Sequence, residues 1–561
     1  MLNAKLPNLS PRTPRAHRVV LAIGTFVALV TVLLFQFSTT HGNSHANEES
    51  QIHHRALRNL ATTTATPQPL RLHFTMKRST MNVLGLSEFD VLANPVVSAD
   101  KSVTYNAVAT FQVGDVTHKY MIVDGVTYHV TESVQAGTAT ETTTCMVADA
   151  LPQVNEILTA LNGAKRVNSV QSSQSIDCPS NKLYKLSYGG DTFVLCSTLG
   201  SASGFKIYGA DLNVEARFVS TAAAITAPTL SAEEAAVCGK LSESTALTTS
   251  TMNLLSGTSA SSVMNIAAES TESATILADA TCTCKGAMRP CIFFHGLGHA
   301  TEGPLEDTST YFGIAKANAP CCSSIKYASL NTVNQGWNNT ALQQKVCDLS
   351  LSVSSTSNKA TKSIEDTIIV AHSMGNNMLA GAIATGKCSL SKTSDWVAIS
   401  GPMRGSMGPD YLLKNCGTFG LGGLITSIVG KCPADTATRA LVYETGSYVP
   451  AVLQAQYDAA QVAYKQYVTA AMCSNGYTGL SSSDQSNYRL AATLMGHKSS
   501  ENDGVVEYQS CAADIPRTQF ANTYTSKFYV TKLNHMDTAF RHGDSASDNA
   551  MKPVKWFECL L

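Results

Sequence analysis

The sequence contains few charged side chains and almost no charge imbalance. Only 14% of its 561 residues are Asp, Glu, Lys or Arg, and the formal net charge is −1 at pH 7. Such a chain lacks the basic surface on which nucleic-acid binding depends. We therefore exclude nucleic acid as a partner, and nothing indicates an acidic partner.

Cysteine is absent from the first part of the chain, and all sixteen cysteines lie at or beyond Cys145. No Cys-x-x-Cys pair occurs, and no histidine cluster accompanies the adjacent Cys321 and Cys322, so a metal site is not indicated. We predict no metal and no cofactor. Disulfides formed in an oxidising, extracytoplasmic compartment explain the cysteines better. Cys178 and Cys196 can form a local pair, whereas the other connectivities stay open.

One nearly uninterrupted apolar run, Val19–Phe37, follows a basic segment at 1–18. The run is long enough to span a bilayer once, and it also suits a long signal peptide. The basic flank is expected to stay in the cytosol. The remainder is then secreted, or it is lumenal or extracellular in a type II membrane anchor. Residues 38–69 are rich in Ser and Thr, which predicts a stalk or leader.

Within that stalk, Arg55–Arg58 reads Arg-Ala-Leu-Arg. The tetrapeptide resembles the Arg-x-Leu-Arg translocation motif of oomycete effectors, although no Glu-Glu-Arg companion follows it. The resemblance keeps a second hypothesis open, namely a secreted effector or binding protein without catalysis.

Residues 70–220 alternate apolar and polar side chains and are rich in β-branched and aromatic residues, as in half-buried strands. Gly114-Asp115 and Asp124-Gly125 are hairpin-turn signals. One helix is predicted at Leu151–Ala164. We predict a smaller, antiparallel β-rich α+β domain here, followed by a linker at 221–284.

The most informative stretch of the chain is Ile368–Gly375, which reads Ile-Ile-Val-Ala-His-Ser-Met-Gly. The apolar start predicts a buried strand, and the residues from Asn376 predict a helix. Ser373 then lies on the sharp turn between them. Such a turn accepts only small residues two positions away, where Ala371 and Gly375 stand. The pattern is typical of a nucleophile elbow.

Three further segments supply the other parts of an acyl-transfer site in the expected chain order. Upstream, a strand ends in the loop His295–Gly298, where the Leu297 amide can pair with that of Met374 as an oxyanion hole. Downstream, a predicted strand at Ala491–Met495 precedes Asp503, and a strand at Lys527–Leu533 precedes His535. We predict Asp503 as the acid and His535 as the general base.

The segments His295–Gly298, Ala371–Gly375, Asn502–Val506 and Asn534–Asp537 resemble those of the α/β-hydrolases, and among these the lipase-like serine esterases. The resemblance covers 285–561 and implies a doubly wound, mostly parallel sheet with a cap or lid insertion. It also implies hydrolysis of carboxylic esters through an acyl-enzyme on Ser373. Gly401–Gly405 is in addition similar to a segment of palmitoyl-protein thioesterases, which leaves thioester cleavage as an alternative.

Several residues compete for these roles. His542 and His497 are rivals of His535, while Glu501 and Asp537 are rivals of Asp503. His295 and His372 are interpreted as supports that hydrogen-bond the loops around Gly296, Gly298 and the elbow.

The insertion is predicted at 403–493, and its apolar, Gly-rich segment Phe419–Val429 suits either a lipid-facing flap or core packing. We therefore expect a lipid or another acylated ester as substrate and a membrane surface as a second partner. Asn338-Asn339-Thr340 is a glycosylation sequon, which makes Asn338 the predicted attachment site.

Overall fold

The computed structural model describes residues 65–561, except for 136–137, 147–150, 198–203, 231–234, 236–237, 241–243, 258–271, 277–281, 417–431 and 483. The stretch Ala65–Leu561 forms one compact unit. The apolar run Val19–Phe37, the tetrapeptide Arg55–Arg58 and the predicted flap at Phe419–Val429 lie outside the described residues. Among the helices that are described, none combines the length and apolarity needed to cross a bilayer.

A large antiparallel sheet forms the first part of the described chain, as the hairpin signals predicted. Gly114 has φ +56°, and Asp124 and Gly125 have φ +51° and +80°, values that tight hairpin turns require. The strands are β1 (Leu70–Met76), β2 (Glu88–Val97), β3 (Ser102–Val113), β4 (Val116–Val123), β5 (Val126–Gln135), β6 (Thr138–Cys145), β7 (Lys165–Val167), β9 (Leu183–Tyr188), β10 (Asp191–Ser197), β11 (Phe205–Gly209), β12 (Leu212–Phe218) and β13 (Thr245–Ala246). In spatial order the path runs β6-β5-β4-β3-β2-β1-β12-β11-β10-β9-β7, and β13 pairs with β3.

A second sheet forms the centre of the later part, and its pairs are parallel throughout the described residues. Its strands are β15 (Arg289–Phe294), β16 (Cys322–Tyr327), β18 (Ile368–His372), β20 (Asp395–Ile399), β21 (Val468–Ser474), β22 (Phe520–Ala521) and β23 (Phe528–Thr531). In spatial order it runs β16-β15-β18-β20-β21-β23-β22. Two short parallel pairs lie apart, namely β8 (Ser169–Ser172) with β14 (Ser273–Ile276) and β17 (Ser363–Ile364) with β19 (Ser389–Leu390).

The parallel sheet is covered on both faces, which explains why its strands are nearly continuous apolar runs. Ile369 and Ala371 belong to one buried cluster, and Ile368 and Val370 belong to the cluster on the other side. The chain places β16 on one side of β15 and β18 on the other. Such a reversal of strand order leaves a crevice beyond the carboxyl ends of the two strands.

Helices pack against both faces of this sheet. Met374–Ala384 contacts the helices Thr340–Val353 and Ala451–Tyr467, while Pro553–Glu558 contributes Val554, Trp556 and Phe557 to the opposite cluster. The remaining α-helices of the described residues are Val154–Asn162, Thr249–Ser256, Met407–Asn415, Thr436–Arg439, Gln485–Leu494 and Tyr508–Ala512. Short 3₁₀ helices are Ser79–Met81, Ala315–Asn318, Arg517–Gln519, Asp537–Ala539 and Asn549–Met551.

Two sequence predictions in the later part need correction. The stretch 403–493 is not one insertion, because it contains β21, which pairs with β20 and β23 inside the sheet. Ala491–Met495 is not a strand, because its residues up to Leu494 end the helix Gln485–Leu494. Tyr488, Ala491 and Met495 are all buried, a spacing of three and four residues that fits one side of a helix.

All sixteen cysteines form disulfides, so none is free. The predicted pair Cys178–Cys196 is present, and the adjacent Cys321 and Cys322 bond to Cys284 and Cys291 respectively. The others are Cys145–Cys238, Cys282–Cys559, Cys347–Cys388, Cys416–Cys432 and Cys473–Cys511. Many disulfides indicate an oxidising, extracytoplasmic environment.

Buried ion pairs join the antiparallel sheet to the C-terminal helix Pro553–Glu558. Lys552 Nζ lies 2.9 Å from Asp211 and 2.6 Å from Asp191. Lys555 Nζ lies 2.8 Å from Asp211, and Arg78 pairs with Glu558. Because buried lysines need a partner charge, this helix depends on carboxylates from strands far away in the sequence.

Candidate active site

Ser373 occupies a strained turn between β18 and the helix that begins at Met374. Its φ of +53° and ψ of −130° are unusual for a residue with a side chain. The turn is held because the Ser373 amide donates to the Ile399 carbonyl at 3.0 Å. A Cβ on Gly375 would lie 2.6 Å from the Phe294 carbonyl oxygen. Glycine there lets the helix approach β15 closely.

The loop after β15 contacts Ser373 directly. A Cβ on Gly296 would lie 2.6 Å from Ser373 Cβ and 3.0 Å from its Oγ. The Gly296 amide donates to the Tyr311 hydroxyl at 3.0 Å, which fixes this part of the loop. Only a residue without a side chain fits between these two groups.

Two backbone amides near Ser373 are left without an acceptor. In the described part of the chain, neither Leu297 N–H nor Met374 N–H donates a hydrogen bond. Met374 is the first residue of its helix, where amides have no intrahelical acceptor and the helix dipole is positive. Both amides are therefore available to an anionic oxygen.

Asp503 and His535 form a buried hydrogen-bonded pair. His535 Nδ1 lies 2.7 Å from Asp503 Oδ2, and the His535 amide donates to the Asp503 carbonyl at 2.9 Å. Asp503 Oδ1 accepts from the amides of Val505 and Val506 at 2.9 and 2.6 Å. These contacts fix the carboxylate and orient the imidazole. His535 lies on the loop that follows β23.

The rival residues pair elsewhere. Glu501 forms an exposed ion pair with Arg517, at 2.7 Å. His497 lies beside Glu507, with 3.5 Å between Nδ1 and the carboxylate. Glu501 and His497 are both absent from the lining of the cleft that holds Ser373.

Asp537 and His542 also form a pair of their own, in which His542 Nδ1 lies 2.6 Å from the carboxylate. This hydrogen bond raises the pKa of His542, and burial raises the pKa of Asp537. Neither residue lines the cleft with Ser373.

His372 lies at the centre of a buried network that joins three loops. The Tyr311 hydroxyl accepts from Gly296 N–H, so its own proton goes to His372 Nδ1, 2.6 Å away. The opposite nitrogen of His372 then donates to the His535 carbonyl, 2.9 Å away. Burial holds the pKa of His372 well below its ordinary value, which keeps the ring neutral.

His295 stabilises the loop after β15. Its Nδ1 lies 2.9 Å from the Gly296 carbonyl, and its Nε2 accepts from the Leu330 amide at 3.1 Å. Burial lowers the pKa of His295 to about 4. The neutral ring with a proton on Nδ1 satisfies both contacts.

Ser373 and His535 line one cleft of about 390 Å³ at the carboxyl edge of the parallel sheet. Its other lining residues are Leu297, Gly298, Tyr311, Pro402, Ser406, Pro409, Leu441, Asp484, Asn487, Tyr488, Val505, Val506, Met536 and Arg541. Among the described residues, no group of three or more His, Cys, Asp or Glu side chains is arranged to hold a metal ion.

The sequence predictions missed Tyr311, Asp484 and Arg541. Tyr311 lies 61 residues before His372 in a connecting loop, where no local pattern singles out a tyrosine. Asn338 lies away from the cleft, just before the helix Thr340–Val353, and its Nδ2 donates to Gln456 at 2.8 Å. Glycosylation of Asn338 stays a prediction.

Comparison with known proteins gives little further information. No protein-family model matches the chain, and no curated protein matches it. Among solved structures, the chain is similar to a metagenomic carboxyl esterase at 12% sequence identity. That match covers 50% of this chain and 76% of the other chain, with a TM-score of 0.27. A similarity this weak carries no argument about function, which has to be inferred from the geometry of the site.

Proposed function

We propose that this protein is a secretory-pathway serine hydrolase with an α/β-hydrolase fold that cleaves carboxylic esters. The observation that carries the proposal is the buried Asp503–His535 pair, whose imidazole lines the cleft that also holds Ser373. Ser373 stands on a strained turn at the switch point of the parallel sheet, the place where such folds bind ligands. Two unpartnered amides beside it complete the set that acyl transfer needs.

In the proposed reaction, His535 accepts the hydroxyl proton of Ser373 while Oγ attacks the ester carbonyl. The amides of Leu297 and Met374 stabilise the resulting oxyanion, and Asp503 stabilises the imidazolium. Collapse breaks the bond to the alcohol oxygen, which leaves with the proton from His535. Water then attacks the acyl-enzyme, and His535 takes the proton of that water and returns it to Ser373. The products are an acid and an alcohol.

The compartment follows from the cysteines. Eight disulfides persist only where thiols are oxidised, which supports export from the cytosol. The apolar run Val19–Phe37 suits both a cleaved signal peptide and a type II anchor. The proposal therefore covers a secreted form and a membrane-anchored form.

A fluorophosphonate probe tests the proposal, because it labels only a serine that an adjacent base activates. Wild-type protein is expected to become labelled, whereas Ser373→Ala is not. Ser352→Ala serves as a matched control, because Ser352 is exposed on the helix Thr340–Val353 and is absent from the cleft lining. No labelling of folded wild-type protein favours the non-catalytic effector or binding protein.

Hydrolysis of p-nitrophenyl butyrate and of a palmitoyl thioester separates the two enzymatic hypotheses. The proposal predicts a larger kcat/KM for the oxygen ester. A preference for the thioester instead supports the palmitoyl-thioesterase alternative and removes ester cleavage as the main activity.

A further inference from the structure

One wall of the cleft is polar and has unused hydrogen-bonding capacity. Asp484, Asn487 and Arg541 line it. Asp484 and Asn487 are three residues apart where the helix Gln485–Leu494 begins, so their side chains share one side of that helix. Asp484 stands at the capping position, yet its carboxylate makes no capping hydrogen bond. The helix start therefore leaves that carboxylate available to a ligand.

The three side chains make few hydrogen bonds within the described residues. Arg541 donates from Nε to the Tyr311 carbonyl at 3.2 Å, which fixes the guanidinium and leaves both Nη groups without an acceptor. Arg541 Nη1 and Asp484 Oδ2 are 4.0 Å apart, too far for a hydrogen bond. The Asn487 amide has no hydrogen-bond partner in the same part of the chain. The wall thus offers a guanidinium donor that is fixed, a carboxylate acceptor and an amide that can both donate and accept.

The charges on this wall cancel, which restricts the ligand. Arg541 is positive and Asp484 is negative, and His542 lies 3.8 Å from Asp484 while bonded to Asp537. An anionic ligand is attracted by Arg541 but repelled by Asp484. A cationic ligand is attracted by Asp484 but repelled by Arg541. A hydroxyl group both donates and accepts, so it can bond to the carboxylate and the guanidinium at once.

A second part of the cleft lining is apolar. This part is formed by Leu441, Val505 and Pro409, and Ser406 hydrogen-bonds to two of these residues. The Ser406 amide donates to the Leu441 carbonyl at 2.9 Å, and its hydroxyl donates to the Val505 carbonyl at 2.6 Å. Because the amide and hydroxyl of Ser406 already donate to protein carbonyls, this part of the lining presents apolar surface to a ligand.

We infer that the substrate is an acyl ester of a polyhydroxylated alcohol, such as glycerol or a monosaccharide. The inference rests on the proposed function, with Ser373 as nucleophile. The acyl chain lies against Leu441 and Val505, while free hydroxyls of the alcohol bond to Asp484, Asn487 and Arg541. The alcohol oxygen that leaves Ser373 takes its proton from His535, as in any ester cleavage by this site. Asp484 and Arg541 then determine specificity for the alcohol.

The test compares butyrate esters that share one acyl group and differ in the alcohol. Ethyl butyrate has no free hydroxyl, glycerol monobutyrate and 6-O-butyrylglucose carry several, butyrylcholine is cationic, and the butyryl ester of glycolic acid is anionic. Wild-type protein is expected to show a kcat/KM at least roughly tenfold higher for one or both polyol esters than for the other three, because hydrogen bonds to charged groups are worth about that much. Equal values, or a preference for a charged ester, overturn the inference.

Two variants then test whether the polar wall causes the preference for polyol esters. Asp484→Asn and Arg541→Gln are each expected to lower the ratio of kcat/KM for the preferred polyol ester to that for ethyl butyrate by roughly tenfold. Asp458→Asn is the matched control, since Asp458 is exposed on the helix Ala451–Tyr467, and its ratio is expected to stay that of the wild type. An unchanged ratio in both cleft variants contradicts the assignment.

The wild-type comparison requires no variant, so misfolding of Arg541→Gln does not obscure the result. Failure of the proposed function looks different, because then no ester is cleaved and Ser373 is not labelled by the fluorophosphonate probe. Labelling of Ser373 together with equal cleavage of all five esters refutes the polyol inference alone.

Discussion

Gly296 shows how much one missing side chain can matter at the residue scale. Its backbone passes so close to Ser373 that a Cβ would lie 2.6 Å from Ser373 Cβ. Neither group can retreat easily, because the Gly296 amide is bonded to Tyr311 and the Ser373 amide to Ile399. The loop that contains the Leu297 amide is therefore held in one position relative to Ser373.

We expect Gly296→Ala to lower kcat/KM for p-nitrophenyl butyrate by roughly 100-fold, because displacing reacting groups by about 1 Å costs that much. Gly303→Ala is the matched control in the same loop region, since its Cβ would meet Ser329 Oγ at an ordinary 3.6 Å. Steady-state kinetics of both variants check the prediction. Near-wild-type activity in Gly296→Ala would show that the loop is free to move.

His295 gives the fold a dependence on pH. Burial lowers its pKa to about 4, whereas an unfolded histidine titrates near 6.5. Below pH 6.5 the unfolded chain therefore binds a proton that the folded protein does not, so stability falls as the pH drops, down to about pH 4. Protonating Nε2 would also remove the acceptor for the Leu330 amide.

We expect the free energy of unfolding to decrease by up to about 3 kcal/mol from this residue between pH 7 and pH 4. Urea unfolding of wild type and His295→Asn at several pH values measures the difference. The variant is expected to be less stable at pH 7 and to lose less on acidification. Parallel pH profiles would contradict the neutral assignment of His295.

Much of the candidate site could be predicted from local sequence. Ser373 and His535 each follow a strand that the local pattern predicts, whereas the segment before Asp503, predicted as a strand, is a helix. The structure brings Asp503 and His535 within 2.7 Å. Tyr311 and Arg541 could not be predicted, because their roles depend on contacts across long separations in the sequence. The ring of His372 hydrogen-bonds to the carbonyl of His535, 163 residues later in the chain. A contact over this separation leaves no periodic pattern in the sequence.

At the scale of elements, the main errors concern β21 and the helix after it. β21 reads Val-Thr-Ala-Ala-Met-Cys-Ser, and its alanines carry little strand preference. The parallel sheet imposes the extended form, because Ala471 and Cys473 fill one face and Ala470 and Met472 the other. Tertiary packing therefore outweighs the low strand propensity of this segment.

Another element, the helix Pro553–Glu558, depends on Asp211 of the antiparallel sheet. Asp211 accepts from Lys552 and Lys555, both of which are fully buried. We expect Asp211→Asn to lower the free energy of unfolding by about 3 kcal/mol, because it leaves a buried ammonium without its counter-charge. Urea unfolding at pH 7 measures this loss.

Asp177→Asn provides the control for that variant. Asp177 pairs with Lys206, but its side chain is 68% exposed, so water screens the pair. We expect a change within about 1 kcal/mol. Similar losses in both variants would show that burial does not set the strength of these pairs.

At the scale of the whole molecule, the antiparallel sheet supports the loop that carries His535. That loop continues through Arg541 to Lys552, whose charge Asp191 and Asp211 neutralise. The Cys282–Cys559 disulfide fixes the same C-terminal segment to the chain ahead of β15. Sequence analysis predicted a separate β-rich domain at 70–220, and these contacts show that it is packed against the later part.

We expect a fragment of residues 285–561 to be unable to fold, because Lys552, Lys555 and Cys559 lose their partners. A fragment of residues 65–561 is expected to fold and to react with the fluorophosphonate probe, since it retains every described contact. Circular dichroism and probe labelling of both fragments, produced under oxidising conditions, test this. Labelling of the shorter fragment would show that the antiparallel sheet is dispensable.

The pairing of Asp211 with Lys552 also determines how early in biosynthesis the folded state can form. The two residues are 341 positions apart. At ribosomal speeds of about 5–20 residues per second, the strand end bearing Asp211 emerges roughly 20–70 s before its lysine. During that interval Asp211 of the nascent sheet lacks its partners Lys552 and Lys555. The proposed hydrolytic activity is therefore expected to arise late, only after the residues around Lys552 have been synthesised and have reached the same compartment as Asp211.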